Sequence, residues 1–262
     1  MVRAATETET KTETEALLAA LVPPRWSVLG GSRAGRPIVG ALVAGRRAAP
    51  AAPTATAPAH APADAGPDRR AHRLLVVGGV HGNEPSSVAA VAELLDRLRP
   101  EATPWELVVV VPALNPDGLA AGRKNTITDV DLNRNFPAGN FTRAHSPGYD
   151  PGPSPLSEPE SALLAALCEA HDVDAAIAVH APFACVNYDG PARAWAERVA
   201  RACEWPVRES IGYPTPGSFG SWLGVDRKVP VLTIELPPGP FGDFRAAAAA
   251  GLDAAIGWPP PL

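Results

Sequence analysis

The stretch Leu74-Leu75-Val76-Val77-Gly78-Gly79-Val80-His81-Gly82-Asn83-Glu84-Pro85 decides the fold. Its opening, Leu74 to Val80, is a continuous apolar run with no polar alternation, the pattern of a central strand buried on both faces of a sheet. The glycines then allow a tight turn in which backbone can approach closely. Pro85 can open a helix at its first position. From Ser86 to Leu98, residues Val88, Val91, Leu94, Leu95 and Leu98 share one helical face.

The alternation continues downstream. Leu107 to Val111 reads as a second buried strand, Glu158 to Ala170 as a helix and Ala175 to Val179 as a strand. Ala192 to Cys203 follows as a helix, Val231 to Leu236 as a strand and Phe244 to Ile256 as a last helix. This order predicts a single α/β domain with a mixed, mainly parallel sheet flanked by helices. Ligands of such sheets gather at the carboxyl ends of strands, and His81, Asn115, His180 and Glu235 all fall at or just beyond such ends. Upstream, Trp26 to Leu29 and Ile38 to Val43 suggest a hairpin around the turn-rich Gly30 to Arg36. Residues 1–22 read as an N-terminal extension, frayed at first and closing a short helix over Ala16 to Val22. The catalytic domain is expected over 23–262. Within it, residues 46–70 are mostly Ala and Pro without periodicity and are expected to form a flexible insertion.

Composition narrows the function. Hydrophobic content of 46% and charged content of 19% are ordinary for a globular enzyme. A net charge of −5 and a pI near 5.7 give no reason to expect nucleic acid or an anionic membrane as partner. Arg123 and Arg134 therefore read as local anion sites. The three cysteines show no CxxC pairing and suit a reduced, cytoplasmic location. The first 22 residues lack the apolar core of a secretory signal. No segment approaches the about 18 uninterrupted apolar residues of a membrane span.

A turn carrying His81 and Glu84 on one side offers a chelate, and His180, closing its strand, offers a third ligand. Catalytic zinc takes three protein ligands and keeps one position open, and His, Glu, His is an established set. Glu235 ends an apolar run, where partial desolvation favours a raised pKa. Each residue also has an ordinary reading. His81 can be an exposed turn residue, Glu84 a charge at a helix start, Glu235 a strand-end ion pair, and Arg134 a partner of Asp131. Arg123-Lys124 can be a solvated basic pair.

Taken in order, His81-x-x-Glu84, Asn115-Pro116-Asp117-Gly118, Arg123, Asn133-Arg134, His180 and Glu235 resemble the zinc carboxypeptidase family typified by carboxypeptidase A, from about Trp26 to Leu236. Within it, Pro155-Leu156-Ser157-Glu158-Pro159-Glu160, His180-Ala181-Pro182-Phe183, Val186-Asn187-Tyr188-Asp189-Gly190-Pro191 and Glu235-Leu236-Pro237 are most similar to the small bacterial murein peptide amidases. The resemblance implies one zinc ion per chain on His81, Glu84 and His180, with Glu235 as general base and Arg123 at the oxyanion. It implies Asn133 and Arg134 on the substrate's terminal carboxylate, and Tyr213 as a mobile phenol. The implied reaction is hydrolysis of the γ-D-Glu–meso-diaminopimelate amide in small, carboxylate-rich murein peptides. Two rivals remain: an N-acyl amino acid deacylase of the aspartoacylase and succinylglutamate desuccinylase kind, and a relative that binds peptide without catalysis.

Overall fold

The computed structural model describes residues 15–21, 25–45 and 72–257. The expected Ala/Pro insertion at 46–70 and most of the N-terminal extension lie outside the described residues; within the extension, residues 15–20 are helical.

The strands are β1 (Ser27–Gly31), β2 (Pro37–Ala44), β3 (Arg73–Val77), β4 (Leu107–Val111), β5 (Ala175–His180), β6 (Cys185–Asp189), β7 (Val207–Arg208) and β8 (Val231–Glu235). The helices are α1 (Pro85–Arg97), α2 (Pro116–Ala121), α3 (Pro159–Ala170), α4 (Arg193–Cys203) and α5 (Phe241–Gly257). The strands form an eight-stranded sheet in the order β1-β2-β4-β3-β5-β8-β6-β7. Its centre, β4-β3-β5-β8, is parallel throughout. β2 and β6 flank that centre in antiparallel pairing, and β1 closes the predicted hairpin with β2. The expected mixed, mainly parallel sheet is the one observed.

The continuous apolar runs are buried on both faces, as their lack of alternation requires. Leu74 and Val76 of β3 join Val108, Val110, Ile177, Val179, Leu232 and Ile234 in a core covered by α1, α4 and α5. Leu75 and Val77 point the other way, into a core with Val109, Val111, Leu164 of α3, Phe136, Phe219 and Trp222. Each such side chain removed from water contributes about 1.5–3 kcal/mol, so the parallel centre is also the most firmly held part of the sheet.

Some boundaries differ from the sequence reading. β3 ends at Val77, three residues before Val80, because Gly79 adopts φ 59° and turns the chain out of the sheet. α5 starts at Phe241, one turn earlier than Phe244. β6, β7, α2 and a π-helical turn at Gly220–Asp226 have no counterpart in that reading. The consequence for function lies in the centre: β3, β5 and β8 run side by side and release their carboxyl ends at one edge.

Candidate active site

Beyond β3 the turn is clamped from several sides. Ser87 Oγ accepts from the Gly79 N–H (3.0 Å) and donates to the Glu84 carbonyl (2.7 Å), while the Gly82 N–H donates to the Lys124 carbonyl (3.1 Å). A Cβ on Gly82 would lie 2.0 Å from the Gly118 carbonyl carbon, so only glycine lets these backbones meet. Thus fixed, the turn holds His81 and Glu84 toward His180, the last residue of β5. Glu84 bridges both rings: Oε1 lies 2.8 Å from His81 Nδ1 and Oε2 lies 3.1 Å from His180 Nδ1. Ligand atoms of the three residues lie within 4.8 Å of one another and could hold a metal ion. Two imidazole nitrogens and a carboxylate form a donor set suited to borderline divalent ions. The ordinary reading of His81 as an exposed turn residue fails, since His81 is buried. Glu84 does stand at the N-cap of α1, but its side chain makes no cap bond and turns to the two histidines instead.

Charge explains the arrangement. Burial pulls the His81 pKa down, but Glu84 and Asp131 outweigh it and hold the ring at about 9. Burial raises the Glu84 pKa, but His81 and His180 outweigh it and hold the carboxyl at about 2. The cluster is built to be occupied by positive charge.

Asp131 is the member that sequence reasoning missed. It is fully buried, at the N-cap of the short 3-10 turn Leu132–Arg134. Its Oδ1 lies 3.0 Å from His81 Nε2 and accepts the Asn133 N–H (2.9 Å), while Oδ2 accepts from Lys124 Nζ (2.6 Å). A carboxylate on the far nitrogen of a ligand histidine fixes its tautomer and ring orientation. The sequence reading offered Asp131 as an ion-pair partner of Arg134. That is corrected here, since both oxygens are taken by other groups and Arg134 forms no ion pair among the described residues.

Glu235 comes to the site through sheet register. It ends β8 directly opposite His180 on β5. It is buried, its Oε2 has no hydrogen-bond partner, and it forms no ion pair among the described residues, unlike a strand-end salt bridge. Burial pushes its pKa up, against the opposing pull of His180 and a backbone hydrogen bond from Phe183.

These groups open onto a cavity of about 250 Å³ whose walls also include Lys124, Asn133, Arg134, Tyr149 and Tyr213. Arg134 is 5% exposed, with its guanidinium carbon 5.2 Å from the Tyr149 ring centre. Asn133 is fixed by the Phe219 N–H, which donates to its Oδ1 (3.0 Å). The Tyr213 ring packs edge-on to Tyr149 and Phe183 and lines the same space. Arg123 does not: its guanidinium pairs with Asp129, and the neighbouring Lys124 is the residue that reaches the cavity. Asn115 stays structural, capping α2 through the Gly118 N–H (2.8 Å) and holding the Lys124 carbonyl (3.3 Å).

Over 176 residues the chain is 36% identical to murein peptide amidase A of Escherichia coli (strain K12), spanning 63% of this chain and 71% of that protein. The chain belongs to the murein peptide amidase A family. The crystal structure of murein-tripeptide amidase from Escherichia coli O157 agrees across the whole of both chains, with a TM-score of 0.69 at 28% identity. Carboxypeptidase A from Helicoverpa armigera shares the fold at 17% identity and a TM-score of 0.63, over 97% of this chain and 74% of that one. Residues 70–151 also match the succinylglutamate desuccinylase/aspartoacylase catalytic domain, a span that contains His81, Glu84 and Asp131 but neither His180 nor Glu235. Membership of the murein peptide amidase A family bears out the resemblance read from the sequence. Among the described residues of this family member, no helix is long and apolar enough to cross a membrane.

Proposed function

We propose that this murein peptide amidase A family member is a zinc metallocarboxypeptidase of cell-wall recycling. Its substrate is L-Ala-γ-D-Glu-meso-diaminopimelate, cut at the γ-D-Glu–meso-diaminopimelate amide in the cytoplasm. The observation that carries the reading is Glu235: a buried carboxylate with an oxygen unpartnered among the described residues, one strand across from a histidine of the metal cluster. Such a group is suited to move a proton at the reacting bond.

His81, Glu84 and His180 would hold one zinc ion through two Nδ1 atoms and a carboxylate. When bound, the ion supplies Lewis acidity to the scissile carbonyl and acidifies water at its open position. The remaining steps belong to the chain. Asp131 holds His81 by its Nε2 so that Nδ1 faces inward. Glu235 takes the proton of the attacking water and delivers it to the leaving amine, a transfer typically worth about 10²–10⁴-fold in rate. Its burial raises the pKa toward the range in which one group can both accept and return a proton. Arg134 and Asn133 bind the terminal carboxylate; a buried guanidinium without an ionic partner among the described residues is ready to form paired bonds to it. Arg123, paired with Asp129 outside the cavity, would have to exchange that partner for substrate to meet the developing oxyanion. Tyr213 closes the cavity over the peptide.

The cavity walls combine Lys124 and Arg134 in a chain of net charge −5, which suits a small, carboxylate-rich peptide better than a large polyanion. The cytoplasmic setting agrees with three free, buried cysteines. We take 23–262 as the catalytic domain, with 1–22 as an extension and 46–70 as an insertion.

A second reading, an N-acyl amino acid deacylase, is favoured by the match of residues 70–151 to the desuccinylase/aspartoacylase domain. One assay separates the readings: release of free diaminopimelate from the tripeptide by purified protein, with chelator, and after zinc is restored. Chelator-sensitive release supports the carboxypeptidase. Turnover of an N-acyl amino acid in its place supports the deacylase, and inertness of fully metallated protein toward both leaves a binding relative.

A further inference from the structure

A second cavity, about 240 Å³, adjoins the first and shares Asn133, His180, Tyr213 and Glu235 with it. Its floor is the sheet. Alternation along a strand puts every second side chain on one face, and here these are Ala178 and His180 of β5, Thr233 and Glu235 of β8, and Asn187 and Asp189 of β6. Register sets Ala178 opposite Thr233, and Thr233 opposite Asn187. Ala178 and Thr233 are short, and the space above them is the cavity.

Asp189 stands at the far end. Cys185 faces Glu235 across the sheet and Asp189 faces Val231, and four residues of strand span about 13 Å. Asp189 is therefore too remote to touch a scissile bond at Glu235. Its carboxylate has no hydrogen-bond or ion-pair partner among the described residues, and burial alone acts on its pKa, pushing it up. Glu209, on the same wall, differs: Tyr188 Oη (2.8 Å) and Arg193 Nη1 (2.9 Å) already donate to its Oε1. The π-helical turn leaves Asp189 its space by using glycine, since a Cβ on Gly220 would lie 2.0 Å from Asp189 Oδ2. Asp189 is half-buried. Withdrawing a carboxylate even partly from water without a partner is costly, and the fold keeps this one at the wall of a cavity that leads to the reaction site.

We propose that Asp189 is the specificity-determining residue for the leaving amino acid, accepting an ammonium group carried at the end of its side chain. This rests on the carboxypeptidase reading above. The two cavities divide the charges of such a leaving group, with Arg134 taking its main carboxylate and Asp189 its distal ammonium. A leaving amino acid with an apolar side chain covers the half-buried Asp189 and leaves it unpaired, which is how a polar pocket rejects an isostere that lacks the matching group. Diamino acids such as diaminopimelate and lysine fit; norleucine does not.

The test compares L-Ala-γ-D-Glu-L-Lys with L-Ala-γ-D-Glu-L-norleucine, using zinc-loaded wild type and Asp189→Asn. Wild type is expected to favour the lysine peptide at least tenfold in kcat/KM, and the variant to lose that preference. A wild type indifferent to the ammonium, or a variant that keeps the preference, overturns the proposal. Calorimetry supplies a readout independent of turnover: wild type should bind meso-diaminopimelate at least tenfold more tightly than 2-aminopimelate, and Asp189→Asn should bind both alike. Failure of zinc-loaded wild type to cut either peptide overturns the carboxypeptidase reading, while the binding comparison still decides the role of Asp189. Equal binding of the two amino acids by wild type overturns that role.

Discussion

Replacing Asp131 with asparagine keeps the size of a fully buried side chain and removes its charge. Three contacts change unequally. The Asn133 N–H (2.9 Å) can still be accepted by the amide oxygen. Lys124 loses its 2.6 Å bond to Oδ2 but keeps the Gly148 carbonyl at 3.1 Å and the Tyr149 ring at 3.7 Å. His81 Nε2 has no comparable substitute: its 3.0 Å partner becomes a neutral amide, and the ring keeps Glu84 but loses the second of the two charges that raise its basicity, together with its firm tautomer. Changes to such a partner of a metal-ligating histidine typically cost about 10–100-fold in metal affinity or activity, which is about 1.4–2.7 kcal/mol. The expected result for Asp131→Asn is thus a zinc Kd weakened by about 10–100-fold, read by competition with a fluorescent chelator while circular dichroism verifies the fold. A folded variant whose Kd stays within about twofold of wild type would show that Asp131 does not orient the ligand, and the reasoning from the buried geometry would fail.

Glu235→Gln should retain zinc and lose about 10²–10⁴-fold in kcat; loss of metal, or retained turnover, removes the general-base role. Arg123→Ala is expected to lower kcat about 10²-fold with KM little changed, and an unchanged kcat would transfer the oxyanion role to Lys124. Arg134→Ala should instead raise KM for the tripeptide, since it removes a group that grips the carboxylate before and during reaction. Zinc affinity should climb with pH by about tenfold per unit through the neutral range and level off near His81's pKa of about 9, because the ion must displace a proton from that ring. The sign for stability follows from the same shift. The metal-free fold gains from the protonated His81 below its ordinary value of 6.5 and loses that gain as pH rises through about 9. Titrations with a chelator from neutral to alkaline pH test both the slope and the plateau, and a flat profile would contradict the charged cluster.

Much of the fold was legible because its central strands are buried on both sides. Leu74 to Val77 and Leu107 to Val111 need no alternation to be recognised, and the side chains they release are the ones that matter. β6 was illegible for the opposite reason. Its sequence, Cys185-Val186-Asn187-Tyr188-Asp189, mixes apolar and polar residues because one face lines a cavity, and Gly190-Pro191 after it reads as loop. The π-helical turn was missed because Gly220 and Gly224 disfavour helix, and their value lies in close contact with Asp189, which no local pattern records. His81, Glu84, His180 and Glu235 were found from strand ends and order in the chain. Asp131 was not, since a buried Asp beside Asn133-Arg134 looks like a local ion pair until His81, distant in sequence, is brought against it. The contrast between Arg123 and Lys124 depends on side-chain direction alone, and adjacent residues of one loop carry no such signal.

Glu84 and His180 stand 96 residues apart in the chain, yet they close one metal cluster because β3 and β5 are neighbours in the sheet. During synthesis, every residue of the first two ligands is made long before the third. A metal ion held by all three residues would therefore be captured tightly only after β5 has docked between β3 and β8, so that its uptake would report completion of the sheet's centre. Because such an ion would favour only the docked state, it would also stabilise that state in proportion to the logarithm of its concentration over Kd. Cells short of that metal would then carry this protein not only as an idle catalyst but as a less durable one, with turnover by proteases tied to metal supply.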